Sequence, residues 1–249
     1  MTRVFSSKNR FDFEPGKVIG AKYTVESKLG GGTEGEVYRV VERGTDIHRA
    51  IKVFYPKRAS TEKELRAHAR RLHQLRHCPA IVQYIHSTKA VVKGQTVMCL
   101  VSELVEGEPL DRMRRRRVDR RLPLFEAMHV LHALAVALEP IHKARAYHGD
   151  IHAENVLVRR CGIDFNVRLL DLWDWGRWSK VQVAEDVRQA IMVFHEMLGG
   201  TREYASFPVE AKTICKGLRK DLLKKAFPDA RALRDHLETF EWVTDAPEA

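Results

Sequence analysis

The stretch that most constrains this chain is His148-Gly149-Asp150-Ile151-His152-Ala153-Glu154-Asn155, followed by the apolar Val156-Leu157-Val158 and, sixteen residues after Asn155, by Asp171 at the end of Leu169-Leu170-Asp171. An apolar run of helical period leads in and short strand-like runs follow, so Asp150, Asn155 and Asp171 fall at the ends of buried elements. Two carboxylates and an amide gathered in this way suit one or two hard cations and leave Asp150 to position a hydroxyl, the requirement of phosphoryl transfer. Capping residues in an ordinary turn would read the same, so the rest of the chain has to decide.

A length of 249 residues permits one large domain or two small lobes. No apolar run approaches the roughly 20 residues that a bilayer requires, and Met1 to Arg10 lacks the apolar stretch of a signal sequence, so a cytoplasmic protein without a membrane span is expected. Cys78, Cys99, Cys161 and Cys215 are widely spaced with no CxxC pair, which reads as reduced thiols rather than a disulfide frame or a zinc site. Seven arginines against two aspartates between Asp111 and Arg121 carry +5, half the net charge of +10. That run reads as a solvated helix face or a docking patch for an acidic partner. Nucleic acid is disfavoured because no aromatic residue is interleaved to stack on bases. Residues 1–16 read as a mobile arm and 244–249 as a tail.

From Tyr23 an alternating run meets Gly30-Gly31-Gly32-Thr33-Glu34-Gly35 and alternates again through Val37 and Val40, the pattern of a β-hairpin with a turn richer in glycine than reversal requires. Glycines let main-chain N–H groups approach a phosphate. Because Gly30-x-Gly32-x-x-Gly35 precedes a strand rather than opening a helix, it fits a phosphate-covering flap and not a dinucleotide fingerprint. His48-Arg49-Ala50-Ile51-Lys52-Val53-Phe54 follows as an apolar strand holding one lysine, which needs a carboxylate or phosphate partner there. Leu65, Ala69, Leu72 and Leu75 form a helical stripe with Ser60 or Thr61 as N-cap, and His68, His73 and His77 read as surface or packing residues.

These features together resemble a eukaryotic-type protein kinase domain over about residues 17–240. The glycine flap with Val37, Ala50-Ile51-Lys52, Leu75-Arg76-His77-Cys78-Pro79, Leu100-Val101-Ser102-Glu103-Leu104-Val105, the opening loop, and the stretch from Glu185-Asp186-Val187 to Gly200 follow in the family's order. The resemblance implies a two-lobed α+β fold, with a small β-rich N-lobe at about 17–103 and a hinge and helical C-lobe at about 104–243, and it implies ATP and Mg2+. By the same resemblance, Gly30, Gly32, Gly35, Val37 and Ala50 surround ATP, Lys52 reaches its α and β phosphates, and Glu103 to Val105 bond adenine. Asp150 orients the acceptor hydroxyl, and Asn155 and Asp171 hold magnesium. Ser102 would gate the pocket behind the hinge, and a small side chain there should admit a bulky N6-substituted ATP.

Four departures from the family pattern matter. The helix glutamate that pairs with the strand lysine falls on His68, with Glu64 one turn earlier, so a one-turn shift would bring Glu64 to Lys52. The Asp-Phe-Gly motif is replaced: the strand pattern Val167, Leu169, Leu170 favours Asp171 as metal ligand, while Asp174-Trp175-Gly176 is the alternative in letters. Asp171 and Asp186 are fifteen residues apart, which leaves almost no activation segment, and Gly149 stands where regulated kinases have arginine. Trp173, Trp175 and Trp178 sit in that short stretch, Trp173 read as core. Finally, His152 replaces the usual lysine, and His-Gly-Asp-x-His-x-x-Asn resembles aminoglycoside and choline phosphotransferases; His152 could neutralise developing phosphate charge. The expected activity is γ-phosphoryl transfer from ATP to a hydroxyl, first to protein serine or threonine. The alternatives are a small-molecule hydroxyl acceptor, or a pseudokinase that serves as an interaction module.

Overall fold

The computed structural model describes residues 10–56, 62–92, 94–172 and 176–241, apart from the side chain of Glu64. The chain divides into two compact units, Met1–Arg76 with Val82–Val105, and His77–Ile81 with Glu106–Ala249.

The first unit is built on a six-stranded antiparallel sheet. Its strands are β1 (Val18–Ile19), β2 (Tyr23–Gly31), β3 (Gly35–Glu42), β4 (Ile47–Phe54), β5 (Tyr84–Val92) and β6 (Gln95–Glu103), in the order β1-β2-β3-β4-β6-β5. Period-two alternation sorts the side chains. Tyr38, Val40, Ile51, Val53, Cys99 and Val101 go to one face and form a buried core with Ile19, Tyr23, Val25 and Val97. Val37, Ala50, Lys52 and Ser102 go to the other face, where the register sets Val37 opposite Lys52 and Ala50 opposite Ser102. Helix α1 (Glu62–Gln74) packs on β5 and buries Leu65 and Leu72, as its apolar stripe dictates. Its expected caps, Ser60 and Thr61, lie outside the described residues.

The described part of the segment read as an N-terminal arm is docked on the sheet. Phe11 and Phe13 pack against the core of the sheet, and Gly16 donates its N–H to Val25 O at 2.8 Å. Two aromatic side chains separated by one residue present enough apolar surface to dock the segment.

In the second unit, α3 (Leu124–Lys143) packs against α4 (Lys180–Met197), α7 (Ala230–Thr239) and strand β9 (Asp164–Leu169). Among the described residues α3 is the one helix long and apolar enough to cross a membrane, by length and composition only, contrary to the expectation that no run comes close. Its Leu131, Leu134, Leu138 and Ile141 are fully buried in the protein, which makes it a core helix. Strands β7 (Glu108–Pro109), β8 (Val156–Cys161) and β9 form a small sheet, and Leu169 N–H donates to Ala80 O at 2.7 Å, which draws residues 77–81 into this unit. Helices α2 (Leu110–Arg115), α5 (Val209–Cys215) and α6 (Lys220–Ala226) complete it. Ser179 caps α4 by accepting Gln182 N–H, and Asp229 caps α7 by accepting Ala232 N–H. Cys78, Cys99 and Cys215 are buried, Cys161 is exposed, and all four are free thiols.

The arginine run is largely engaged in ion pairs within its own unit. Arg114 and Arg115 meet Asp111, Arg116 meets Glu108, Arg117 meets Glu126, and Arg121 meets Glu203 and Asp119.

Candidate active site

In the first unit the flap is the β2–β3 turn. Gly30 and Gly31 pair with Val37 and Glu36, and Gly32 N–H closes the turn on Gly35 O at 2.9 Å. At Gly35 a Cβ would stand 2.1 Å from Val53 O, so no larger residue fits without moving β4. No atom lies within 4 Å of a Cβ placed at Gly30 or Gly32, so the outer flap is open to an approaching group. Lys52 Nζ lies 2.8 Å from Glu34 Oε2 and 5.5 Å from the centre of the Phe54 ring. The lysine on the apolar strand therefore has a carboxylate partner, as its burial demands, and that partner comes from the flap itself. Glu64 belongs to α1, but its side chain lies outside the described residues. At the hinge, Glu103 N–H donates to Gln83 O at 3.0 Å and the Glu103 carboxylate accepts Gln83 N–H at 2.8 Å, which fixes the strand leading to Val105.

In the second unit the catalytic-loop candidate is held from behind by Asp186 of α4, a fully buried carboxylate. Its Oδ2 accepts His148 N–H at 2.7 Å, its Oδ1 accepts Gly149 N–H at 2.7 Å, and His142 Nε2 lies 3.0 Å from Oδ2. Gln189, one turn further along α4, accepts Ile151 N–H at 2.8 Å. Gly149 has φ +82°, a left-handed conformation that an arginine would adopt only with strain. The glycine that departs from the regulated-kinase pattern thus also meets a backbone requirement.

Asp150 and Asn155 are brought together. Asn155 Nδ2 donates to Asp150 O at 3.0 Å and to its carboxylate at 3.2 Å, which commits the amide nitrogen and turns Oδ1 to other use. His152 Nε2 lies 3.7 Å from the same carboxylate oxygen. Leu170 N–H donates to Asn155 O at 2.8 Å, tying the loop to the residue before Asp171. Asp171 itself is exposed and has φ +55°, a strained backbone of the kind found at functional sites. Asp174, the alternative ligand, lies outside the described residues, as do Trp173 and Trp175.

His148 is completely buried. Burial pushes its imidazole below the ordinary range, outweighing the opposite pull of Asp186, the Leu170 carbonyl, Asp150 and Asp171. The neutral ring has a definite tautomer: Nε2–H donates to Leu170 O at 2.9 Å, and Nδ1 accepts Asp150 N–H at 3.3 Å. One imidazole thereby bridges the main chain of the two segments that carry Asp150 and Asp171.

Among the described residues no group of three or more His, Cys, Asp or Glu side chains suits a metal ion. The oxygen set of Asn155 Oδ1 and the exposed Asp171 carboxylate nevertheless fits magnesium, which takes one or two carboxylates together with substrate phosphates and waters. Glu34, Asp186, His142 and Gln189 contribute to these arrangements but were not assigned site roles from the sequence. Only Asp186 had a signal there, a carboxylate at the start of the buried α4 stripe; the others pair through contacts that spacing does not disclose.

The protein kinase domain family matches residues 23–207. The chain is 30% identical over 208 residues to the serine/threonine-protein kinase pkn2 of Myxococcus xanthus, covering 82% of this chain and 23% of that protein. It is 27% identical over 193 residues to the serine/threonine-protein kinase PknA of Mycobacterium tuberculosis, covering 76% and 41%. It also matches the sporulation-specific protein 1 of Saccharomyces cerevisiae, 29% identical over 149 residues, covering 58% and 30%. The chain thus spans less than half the length of these curated relatives. The crystal structure of the Mycobacterium tuberculosis PknI kinase domain shares the fold, with a TM-score of 0.66 at 21% identity, covering 91% of this chain and 98% of that one. With the family matched over residues 23–207, most of its length, this chain belongs to the protein kinase domain family.

Proposed function

We propose that the chain transfers the γ-phosphoryl group of ATP to a serine or threonine hydroxyl of a protein. The observation that carries this is the pairing of Asn155 with Asp150 on a loop whose main chain is fixed by Asp186 and His148. The flap carrying Gly30, Gly32 and Gly35 covers the phosphates, Lys52 exchanges its Glu34 contact for phosphate oxygens, and Val37, Ala50, Glu103 and Val105 hold the adenosine. The acceptor oxygen attacks the γ-phosphorus while the bond to the β–γ bridging oxygen breaks, ADP departs, and the hydroxyl proton passes to the Asp150 carboxylate. Asn155 and Asp171 would hold Mg2+, which when bound neutralises phosphate charge.

Control by activation-loop phosphorylation is not part of the proposal. Helix α4 already begins at Lys180, and Gly149 offers no guanidinium to meet a loop phosphate, which supports a constitutive or partner-controlled enzyme. The contact of His152 with Asp150 at 3.7 Å favours a second reading, a small-molecule hydroxyl acceptor as in the aminoglycoside phosphotransferase type of loop. Incubation with γ-labelled ATP and a cell lysate separates the two. Label in protein, removed by Asp150→Asn, is the expected result; label confined to the small-molecule fraction would favour the second, and label in neither would contradict both.

A further inference from the structure

Glu36 is a carboxylate 1% exposed on β3, directly beside the flap. It pairs in register with Gly31, and a Cβ on Gly31 would lie 3.3 Å from Glu36 Cγ, so this side chain is the nearest packing support beneath the glycine turn. A carboxylate at such a place is costly unless every lone pair is used. Lys28 Nζ meets Oε1 at 2.7 Å, Tyr55 OH donates to Oε1 at 3.1 Å, Tyr38 OH donates to Oε2, and Asp12 N–H donates to Oε2 at 3.1 Å.

Three hydrogen bonds join this cluster to the N-terminal segment. Asp12 supplies both its main-chain N–H to Glu36 and its carboxylate to Lys28 Nζ at 2.6 Å, and Phe13 N–H donates to Tyr38 OH at 3.1 Å. The flanking rings lock the segment in place: Phe11 stacks on Phe13 at 5.4 Å and lies 5.2 Å from Tyr55, and Phe13 stacks on Tyr38 at 5.1 Å. Lys28 on β2 and Glu36 on β3 therefore clamp the two strands just below the flap, and the segment closes the clamp from outside.

The outer flap is less closely packed, since no atom lies within 4 Å of a Cβ placed at Gly30 or Gly32. A glycine turn loses much conformational freedom when it is ordered on a ligand, and fixing its base in advance reduces that loss. We propose that residues 11–13 act as a strap which, through Glu36, positions the flap for the phosphates of the nucleotide. Glu36 is a positioning residue in this scheme and touches no substrate. The scheme rests on the phosphotransferase reading given above. Burial draws the Glu36 carboxyl upward, but the hydrogen bonds from Lys28, Tyr38, Asp12 and Tyr55 hold it below the ordinary carboxylate range, so it stays ionised and keeps the strap.

The test compares the parent chain with Glu36→Gln and with the milder strap variant Phe11→Ala, measuring dissociation constants for Mg-ATP and for adenosine, together with KM for ATP and kcat. Weakened flap positioning should raise the ATP constants about five-fold in both variants, leave kcat within about two-fold, and leave adenosine affinity unchanged, because adenosine has no phosphates for the flap to hold. Glu36→Asp, which keeps the charge, should recover part of the loss. Equal loss of ATP and adenosine affinity would show general damage to the unit and overturn the strap, as would unaltered ATP affinity in both variants. A parent chain that binds no ATP would overturn the phosphotransferase reading and the strap with it, whereas a parent that binds ATP with no selective loss in the variants removes the strap alone.

Discussion

Asp186 Oδ1 accepts the Gly149 main-chain N–H at 2.7 Å, so a buried carboxylate on α4 fixes the residue immediately before Asp150. Its other oxygen holds His148 in the same way. Asp186→Ala leaves two main-chain N–H groups and the His142 ring without their partner, each costing about 1–3 kcal/mol. The unfolding free energy in urea should fall by about that sum at most, with a large loss of kcat. Asp186→Asn, which retains one acceptor oxygen, should lose less of both.

The Lys52–Glu34 contact makes a second prediction. Glu34 is one-third exposed, so the pair adds little to stability, but Glu34 competes with phosphates for the lysine. Glu34→Gln should lower the KM for ATP about two- to five-fold, the range set by an ion pair worth up to about 1 kcal/mol. Steady-state kinetics at saturating acceptor checks this, and a raised KM would show instead that Glu34 holds Lys52 in its working position.

Ser102 lies opposite Ala50 on the face that also carries Val37 and Lys52. An ATP analogue with a bulky N6 substituent should therefore compete with ATP on the parent chain, and Ser102→Phe should abolish that competition while ATP still binds. A competition assay with labelled ATP reads both.

Burial depresses the His148 imidazole below its ordinary value of 6.5. The unfolded chain takes up a proton that the native chain resists, so the stabilising contribution is full above about 6.5 and is lost as the pH falls from there toward the depressed native value. His86, His195 and His236 are shifted in the same direction, also by burial. The urea midpoint should drop between pH 7.5 and pH 5.5; a midpoint that rises over that interval would contradict the downward shift of these rings.

What the sequence discloses here follows from the range of each interaction. Val37, Ala50 and Lys52, grouped around ATP by the resemblance alone, fall on one face through strand alternation, which is local, and the buried stripes Leu65–Leu72 and Leu131–Ile141 are local for the same reason. Asp150 and Asn155 are five residues apart, so one loop suffices to join them. The strap escaped notice because its carboxylate partner is 24 residues from Asp12 and two phenylalanines are too short a pattern to announce an element. The arginine run shows its charge openly, but its partners Glu126 and Glu203 are distant in sequence, so the offset appears only in the fold. The Glu64 pairing proposed for Lys52 falls on a side chain outside the described residues, and Glu34 gave no signal beyond standing in a glycine turn.

The central claim is that Asp150, placed by Asp186 and paired with Asn155, accepts the proton of a hydroxyl that receives the γ-phosphoryl group. The most direct measurement is magnesium-dependent transfer of labelled γ-phosphate to protein by the purified parent chain and by Asp150→Asn, with ATP binding measured on both. Loss of a catalytic base typically removes about 10²–10⁴-fold in rate, so the variant should bind ATP as the parent does and transfer phosphate at least about a hundred-fold more slowly. Equal transfer by both proteins, or none by a parent chain that binds ATP, would contradict it.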